Sequence, residues 1–354
     1  MSPAEGPTVP EDRLKRSDEG TVSSKPRQSL KFDPEYARWR APFGEKTRVP
    51  PCATPLAFRR FNDIFMRAVW ALLPPQPSII RTRHKCASYD GAEFEITRFA
   101  TAGQMEDETA LQPAVLYLHG GAMVAMSVEI FAPRLANLAV ESGVQIFAVE
   151  YRLAPEHPHP TPIEDCYAAL TWVSTHAVEL HVDPTRIGLM GDSAGGGLAA
   201  GVTLMARDRQ LRPPVKQQIL IYPMLDDRST AALSRATPAS PLEDFATIPN
   251  SIIMMCWEAY VGKEKAGKED ADVSPYAAPG RASDLRGLPS TYIDVGGLDL
   301  FRDECASFAT RLAAADVEVE FHMFPGLPHG FESASDIGAT KRAAEGRIRW
   351  MRNL

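Results

Sequence analysis

The chain has 354 residues, 44% of them hydrophobic and 23% charged, with a formal net charge of −7. This is ordinary globular usage, which excludes collagen-like and wholly disordered classes and leaves room for one large α/β domain with an added layer. The acidic balance, with no Lys/Arg run longer than a pair, excludes nucleic acid held on a basic surface.

Residues 1–30 scatter Pro, Ser, Glu and Lys among few apolar side chains and are expected to form a flexible arm. Met1 to Arg16 lacks an apolar core of signal-peptide length, and no run of about 18 apolar residues follows. The expectation is a cytoplasmic protein with no membrane span. From Leu30 to about Pro75 the apolar residues Phe32, Tyr36 and Trp39, then Phe58, Phe61, Phe65, Val69 and Trp70, recur at helical spacing. Amphipathic helices of this kind need a surface to cover. After Ile79 the runs Val115–Leu118, Val144–Val149, Ile187–Met190, Ile219–Tyr222, Thr291–Val295 and Val317–Phe324 read as strands. Between and after them Phe131–Val140, Ile163–Leu180, Gly195–Arg207, Arg302–Ala315 and Gly338–Met351 read as helices. Such alternation predicts an α/β fold with a mostly parallel sheet flanked by helices. Leu225 to Tyr276 breaks the rhythm, with a Ser/Pro-rich first half and the apolar stretch Ile252–Val261, and is expected to pack as an insertion over one end of the sheet. Cys52, Cys86, Cys166, Cys256 and Cys305 form no CxxC pair, which predicts buried free thiols and no metal knuckle.

The most informative segment is Gly191-Asp192-Ser193-Ala194-Gly195, between a predicted strand and a small-residue helix. A serine in a sharp strand-to-helix turn needs glycine two places to either side, and its hydroxyl is left projecting. A phosphate-cradling loop is the rival use of such a turn, but no Gly-Lys-Ser/Thr and no GxGxxG accompanies it. A serine nucleophile needs a base and an acid that orients it. His329 follows the turn-rich Phe324–Pro328 directly after the last predicted strand, whereas His322 lies inside that strand and reads as structural. Asp299 stands at a strand's carboxyl end after Gly296-Gly297; the rival reading is a cap for the helix that starts near Arg302. Asp303 suits the first helical turn, and Asp294 lies within the strand. His119-Gly120-Gly121-Ala122 after Val115–Leu118 offers backbone donors for an oxyanion, with Gly120, Gly121 and Ala194 as the expected donors and His119 orienting the loop.

Taken together, His119–Ala122, Tyr151–Pro158, Gly191–Gly196, Ser274-Pro275, Asp299 with Arg302-Asp303-Glu304, and His329-Gly330-Phe331 resemble the hormone-sensitive-lipase-like (family IV) carboxylesterases of the α/β-hydrolase superfamily. The resemblance runs in order from about residue 113 to 335. It implies an α/β-hydrolase fold: a helical cap from 31–75 and 225–272, and a catalytic domain from 76–224 and 273–354. It also implies ester hydrolysis through Ser193, Asp299 and His329 without metal or cofactor, a small-molecule ester as partner, and a homodimer as a further expectation. Three positions depart from the family pattern: Ala122 for Gly, the bulkier Met123–Met126, and Leu300 for the Pro that often follows the acid. Ala122, Met123, Trp257 and Tyr260 are expected to line an apolar pocket for short or medium acyl chains or a bulky hydrophobic alcohol. The plainer alternative is that such residues pack cap on sheet. Amide or lactone hydrolysis and acyl transfer use the same machinery. A ligand receptor of the same fold, such as the gibberellin receptors, lacks the histidine.

Overall fold

The computed structural model describes residues 30–106, 110–236 and 240–354; the arm expected over 1–30 lies outside them except for Leu30. Two helices come first, α1 (Pro34–Arg40) and α2 (Pro55–Trp70). Each begins at a proline whose missing N–H costs nothing at a helix start, capped by Asp33 in α1 and by Thr54 in α2. There follow β1 (Ile79–Ala87), β2 (Glu93–Thr101), α3 (Ala102–Glu106), β3 (Gln112–Leu118), α4 (Val128–Ser142), β4 (Gln145–Glu150), α5 (Thr161–Thr175), β5 (Val182–Asp192), α6 (Ala194–Asp208) and β6 (Gln217–Ile221). The chain then forms α7 (Asp227–Arg235) and α8 (Asn250–Val261), and closes with β7 (Ser290–Gly296), α9 (Arg302–Ala314), β8 (Val319–Phe324) and α10 (Gly338–Arg352).

Among the described residues the strands form one eight-stranded sheet in the order β1-β2-β4-β3-β5-β6-β7-β8. β2 pairs antiparallel with both β1 and β4, and every other pairing is parallel. Helices α4 and α10 pack together on one face, and α5 and α6 on the other. The central strands are covered on both sides, so β3, β4, β6 and β7 are buried almost end to end. Strands β1 and β2 extend the sheet beyond the runs named from the sequence. They join at Tyr89–Ala92, where Ser88 N–H donates to Ala92 O at 2.9 Å and Gly91 has φ +81°.

In an open parallel sheet the carboxyl ends of the strands carry the functional groups. Loops after β3, β5, β7 and β8 meet there, and α2 and α8 pack against each other nearby. Among the described residues no helix is long and apolar enough to cross a membrane. Cys86, Cys166, Cys256 and Cys305 are buried and Cys52 is half-buried, all as free thiols.

Candidate active site

Between β5 and α6 the chain turns within one residue. Ser193 has φ +55° and ψ −121°, a conformation that costs a non-glycine residue about 1–3 kcal/mol and persists only where neighbours impose it. Its N–H donates to Ile221 O at 2.8 Å, and its carbonyl accepts from Gly197 N at 3.0 Å and Met224 N at 2.9 Å. The flanking glycines are demanded by contact: a Cβ at Gly191 would sit 2.2 Å from Gly195 O, and one at Gly195 would sit 2.0 Å from Leu118 O.

The structure brings Ser193, His329 and Asp299 together across 136 residues of sequence between the first two and 30 between the last two. Ser193 Oγ lies 3.0 Å from His329 Nε2, and His329 Nδ1 lies 2.7 Å from Asp299 Oδ2. Asp299 is 1% exposed, and its Oδ1 accepts the Phe301 N–H at 2.9 Å, which fixes the carboxylate plane. Edge-on contacts from Tyr222 at 4.5 Å and Phe301 at 5.1 Å hold the imidazole. The rival acids are elsewhere: Asp303 pairs with Arg302, and Asp294 with Arg347. Helix α9 has Phe301 as its cap residue, so Asp299 is not its N-cap. His322 sits in β8 and bonds Glu320.

Burial disfavours a charged His329 ring, but the Asp299 carboxylate and its bond to Nδ1, with Glu332 and Asp192 further off, outweigh it and raise the pKa above the ordinary 6.5. If His329 is the general base it acts only when unprotonated, and kcat/KM for an ester with a non-titrating leaving group is then expected to fall as pH falls through a midpoint above 6.5. Stability runs the other way: the proton held by the raised pKa stabilises the fold below the unfolded value, and that contribution is lost as pH rises through the folded one. Initial rates across pH check this, and a profile flat down to about pH 4 contradicts a histidine base.

The loop after β3 lies against the serine turn. A Cβ at Gly120 would stand 2.7 Å from Asp192 Oδ2, and Gly121 adopts φ +117°. The amides of Gly120 and Gly121, and that of Ala194 at the first position of α6, donate to no acceptor among the described residues. His119 is 1% exposed, stacks on Tyr151 at 4.3 Å and approaches Gly120 O at 2.7 Å through Nδ1. Burial drives its pKa down to about 4 against that bond, so at neutral pH it is an uncharged brace.

Beneath the site lies a buried charged network that the sequence reading did not name. Glu332 pairs with Arg134 at 3.0 Å and Arg347 at 3.7 Å and accepts the Tyr222 hydroxyl; Arg347 binds Asp294 through two bonds of 2.7 and 2.8 Å. The Tyr117 hydroxyl bonds Asp192. Only the nearness of Glu332 to His329 in the chain could have flagged any of it.

Two lobes open at Ser193 and His329. The larger, about 1040 Å³, runs beneath the amino-terminal helices and is lined by Trp39, Phe61, Phe65, Trp70, Met126 and Phe131 among others. The smaller, about 10 Å³, is walled by Met224, Ile253, Leu298, Leu300 and Phe301. Ala122 borders both. Met123, Trp257 and Tyr260 border neither: each is wholly buried. Met123 is turned under its loop, its carbonyl bonded to Ala154 N at 2.9 Å. On α8, Ile253 reaches the small lobe, whereas Trp257 and Tyr260, one and two turns on, pack away from it, Tyr260 edge-on to His159 at 5.6 Å. Among the described residues no cluster of three or more His, Cys, Asp or Glu side chains is arranged to hold a metal ion.

Residues 115–333 match a family described as having the alpha/beta hydrolase fold. Esterase LipI of Mycobacterium tuberculosis is 38% identical over 281 residues, 78% of this chain and 84% of that protein. Hormone-sensitive lipase of Mus musculus is 38% identical over 159 residues, 45% of this chain and 20% of that protein. Among solved structures, a bacterial heroin esterase superposes with a TM-score of 0.78 at 35% identity, covering 91% of this chain and 97% of its own. The chain belongs to the hormone-sensitive-lipase-like carboxylesterases of the α/β-hydrolase fold, a family of serine ester hydrolases.

Proposed function

We propose that Ser193, His329 and Asp299 are the catalytic triad of this esterase. The observation that carries the reading is the chain of contacts from Ser193 Oγ to His329 Nε2 at 3.0 Å and from His329 Nδ1 to Asp299 Oδ2 at 2.7 Å. Ser193 Oγ attacks the acyl carbon while His329 takes its proton, and Asp299 holds the tautomer and stabilises the imidazolium. The amides of Gly120, Gly121 and Ala194 receive the oxyanion, each such donor contributing about 3–4 kcal/mol to the transition state. Collapse expels the alcohol with a proton from His329, and water then attacks the acyl-enzyme by the same steps in reverse. Helices from 31–75 and 225–272 act as a cap that keeps this chemistry away from bulk water.

The unequal lobes favour one class of substrate. The small one has room for a group about the size of one water, whereas the large one takes a drug-sized body against aromatic walls. The substrate class is an ester with a short acyl chain and a bulky hydrophobic alcohol. A panel of esters varied separately in acyl and alcohol parts, with an anilide and a lactone included, tests this. Rates per enzyme should fall as the acyl chain lengthens beyond acetyl, and KM should fall as the alcohol grows. Equal rates for octanoyl and acetyl esters, or an anilide turned over as fast as its ester, contradict the reading.

A further inference from the structure

Helix α2 grips the loop that carries two of the proposed oxyanion donors. Arg59 Nε donates to Val124 O at 2.5 Å, Nη2 donates to Ala154 O at 2.7 Å, and both terminal nitrogens reach the Glu156 carboxylate at 2.8 and 2.6 Å. One turn further along, Asp63 Oδ1 accepts the Met126 N–H at 2.7 Å. The segment held between these points is unusual: Ala122, Met123 and Met126 have φ of 54°, 59° and 74°. Left-handed conformations at non-glycine residues last only where surrounding bonds over-determine them. Inside the loop, Val124 N and Ala125 N both donate to Gly121 O, and Ala154 N closes onto Met123 O. The outward-facing Val124 O and Met126 N are satisfied by side chains of α2. Arg59 also binds Ala154 O, so the loop, the Tyr151–Glu156 segment and α2 form one bonded unit.

We propose that Arg59 and Asp63 are positioning residues, holding the amides of Gly120 and Gly121 where the oxyanion forms. The proposal rests on reading those amides as oxyanion donors. Neither side chain touches substrate; each acts through the backbone of the loop, at Val124 O and Met126 N. Preorganised donors work because they need not move during the reaction, and a displacement of about 1 Å can cost about 100-fold in rate.

The test uses the full chain with Arg59→Met, Arg59→Lys, Asp63→Asn and Asp63→Leu. For each, kcat and KM on p-nitrophenyl acetate, the inhibition constant of phenylboronic acid and the melting temperature are measured. The boronic acid reports on the donors: boron accepts the Ser193 oxygen, the serine proton passes to His329, and the tetrahedral adduct presents its oxygen to the loop amides. Arg59→Met is expected to lower kcat and boronic-acid affinity together by about 10- to 100-fold, with KM changed by less than about threefold. Arg59→Lys, which keeps the charge but not the fork of donors, should recover little. Asp63→Asn, whose amide oxygen still accepts the Met126 N–H, should keep most of both readouts, and Asp63→Leu should lose them. A lowered melting temperature with kcat and boronic-acid affinity intact makes Arg59 a fold anchor and overturns the proposal, as does a loss of kcat without a loss of boronic-acid affinity. If Arg59→Met does not fold, the Asp63 pair decides alone. Wild-type protein that binds phenylboronic acid no more tightly than Ser193→Ala overturns the triad reading, and the proposal with it.

Discussion

Ser193→Ala should lower kcat/KM for a short-chain activated ester by about 10⁴- to 10⁶-fold and leave the fold intact. The size of the loss follows from the covalent route. On the proposed mechanism there is no acyl-enzyme without Oγ, and His329 and the proposed oxyanion donors are left to act on water they were not built to place. The fold should survive because nothing structural depends on the hydroxyl. The strained turn is held by Ser193 N to Ile221 O and by Gly197 N and Met224 N to Ser193 O, all backbone bonds that alanine keeps. The φ of +55° is as costly for alanine as for serine, so the strain is unchanged. The measurement pairs initial rates with a thermal melt on protein freed of host esterases. A variant that keeps about a tenth of wild-type turnover removes Ser193 from the role of nucleophile.

How far the residues themselves announce this arrangement depends on the range of the interactions. The parallel strands were legible because burial on both faces leaves uninterrupted runs such as Val115–Leu118 and Ile219–Tyr222. The serine turn was legible because Gly191 and Gly195 are fixed by contacts to nearby backbone, a local demand with a local signature. Strand β1 was harder to read: it is the sheet edge, mostly half-buried or exposed, and its charged side chains mask any apolar run. An apolar stripe says which side chains leave water without saying whether they end in packing or in a cavity. Trp39 and Phe61 face the large lobe, while Phe58, Trp257 and Tyr260 are core. The partners of Arg134, Arg347 and Arg59 are set by tertiary geometry alone, so neither the buried network nor the grip of α2 on the loop after β3 has any trace in spacing.

That network should dominate stability. Arg347→Met is expected to destabilise the protein by about 3–5 kcal/mol, the cost of leaving buried carboxylates without their cation. Arg347 and both of its acidic partners, Asp294 and Glu332, are buried, so water cannot replace the lost guanidinium. Its charge also lies over the rings of Tyr222 and Phe331 at 5.7 and 5.5 Å, contacts that methionine replaces only in part. Urea melts of wild type, Arg347→Met and the double variant Arg347→Met/Asp294→Asn measure the effect. The double variant should recover part of the loss, because the stranded charge goes with the second substitution. Burial opposes the ionised form of Glu332, yet Arg134 and Arg347 hold its pKa below the ordinary 4.5. In wild type that contribution is present above 4.5 and is lost as pH falls through the folded value. With Arg347 gone much of the contribution is already absent at neutral pH, so the gap between wild type and variant should narrow on acidification. A loss of less than about 1 kcal/mol at neutral pH, or a gap that widens in acid, means that solvent reaches this network and that it does not bear on the stability of the sheet beneath the site.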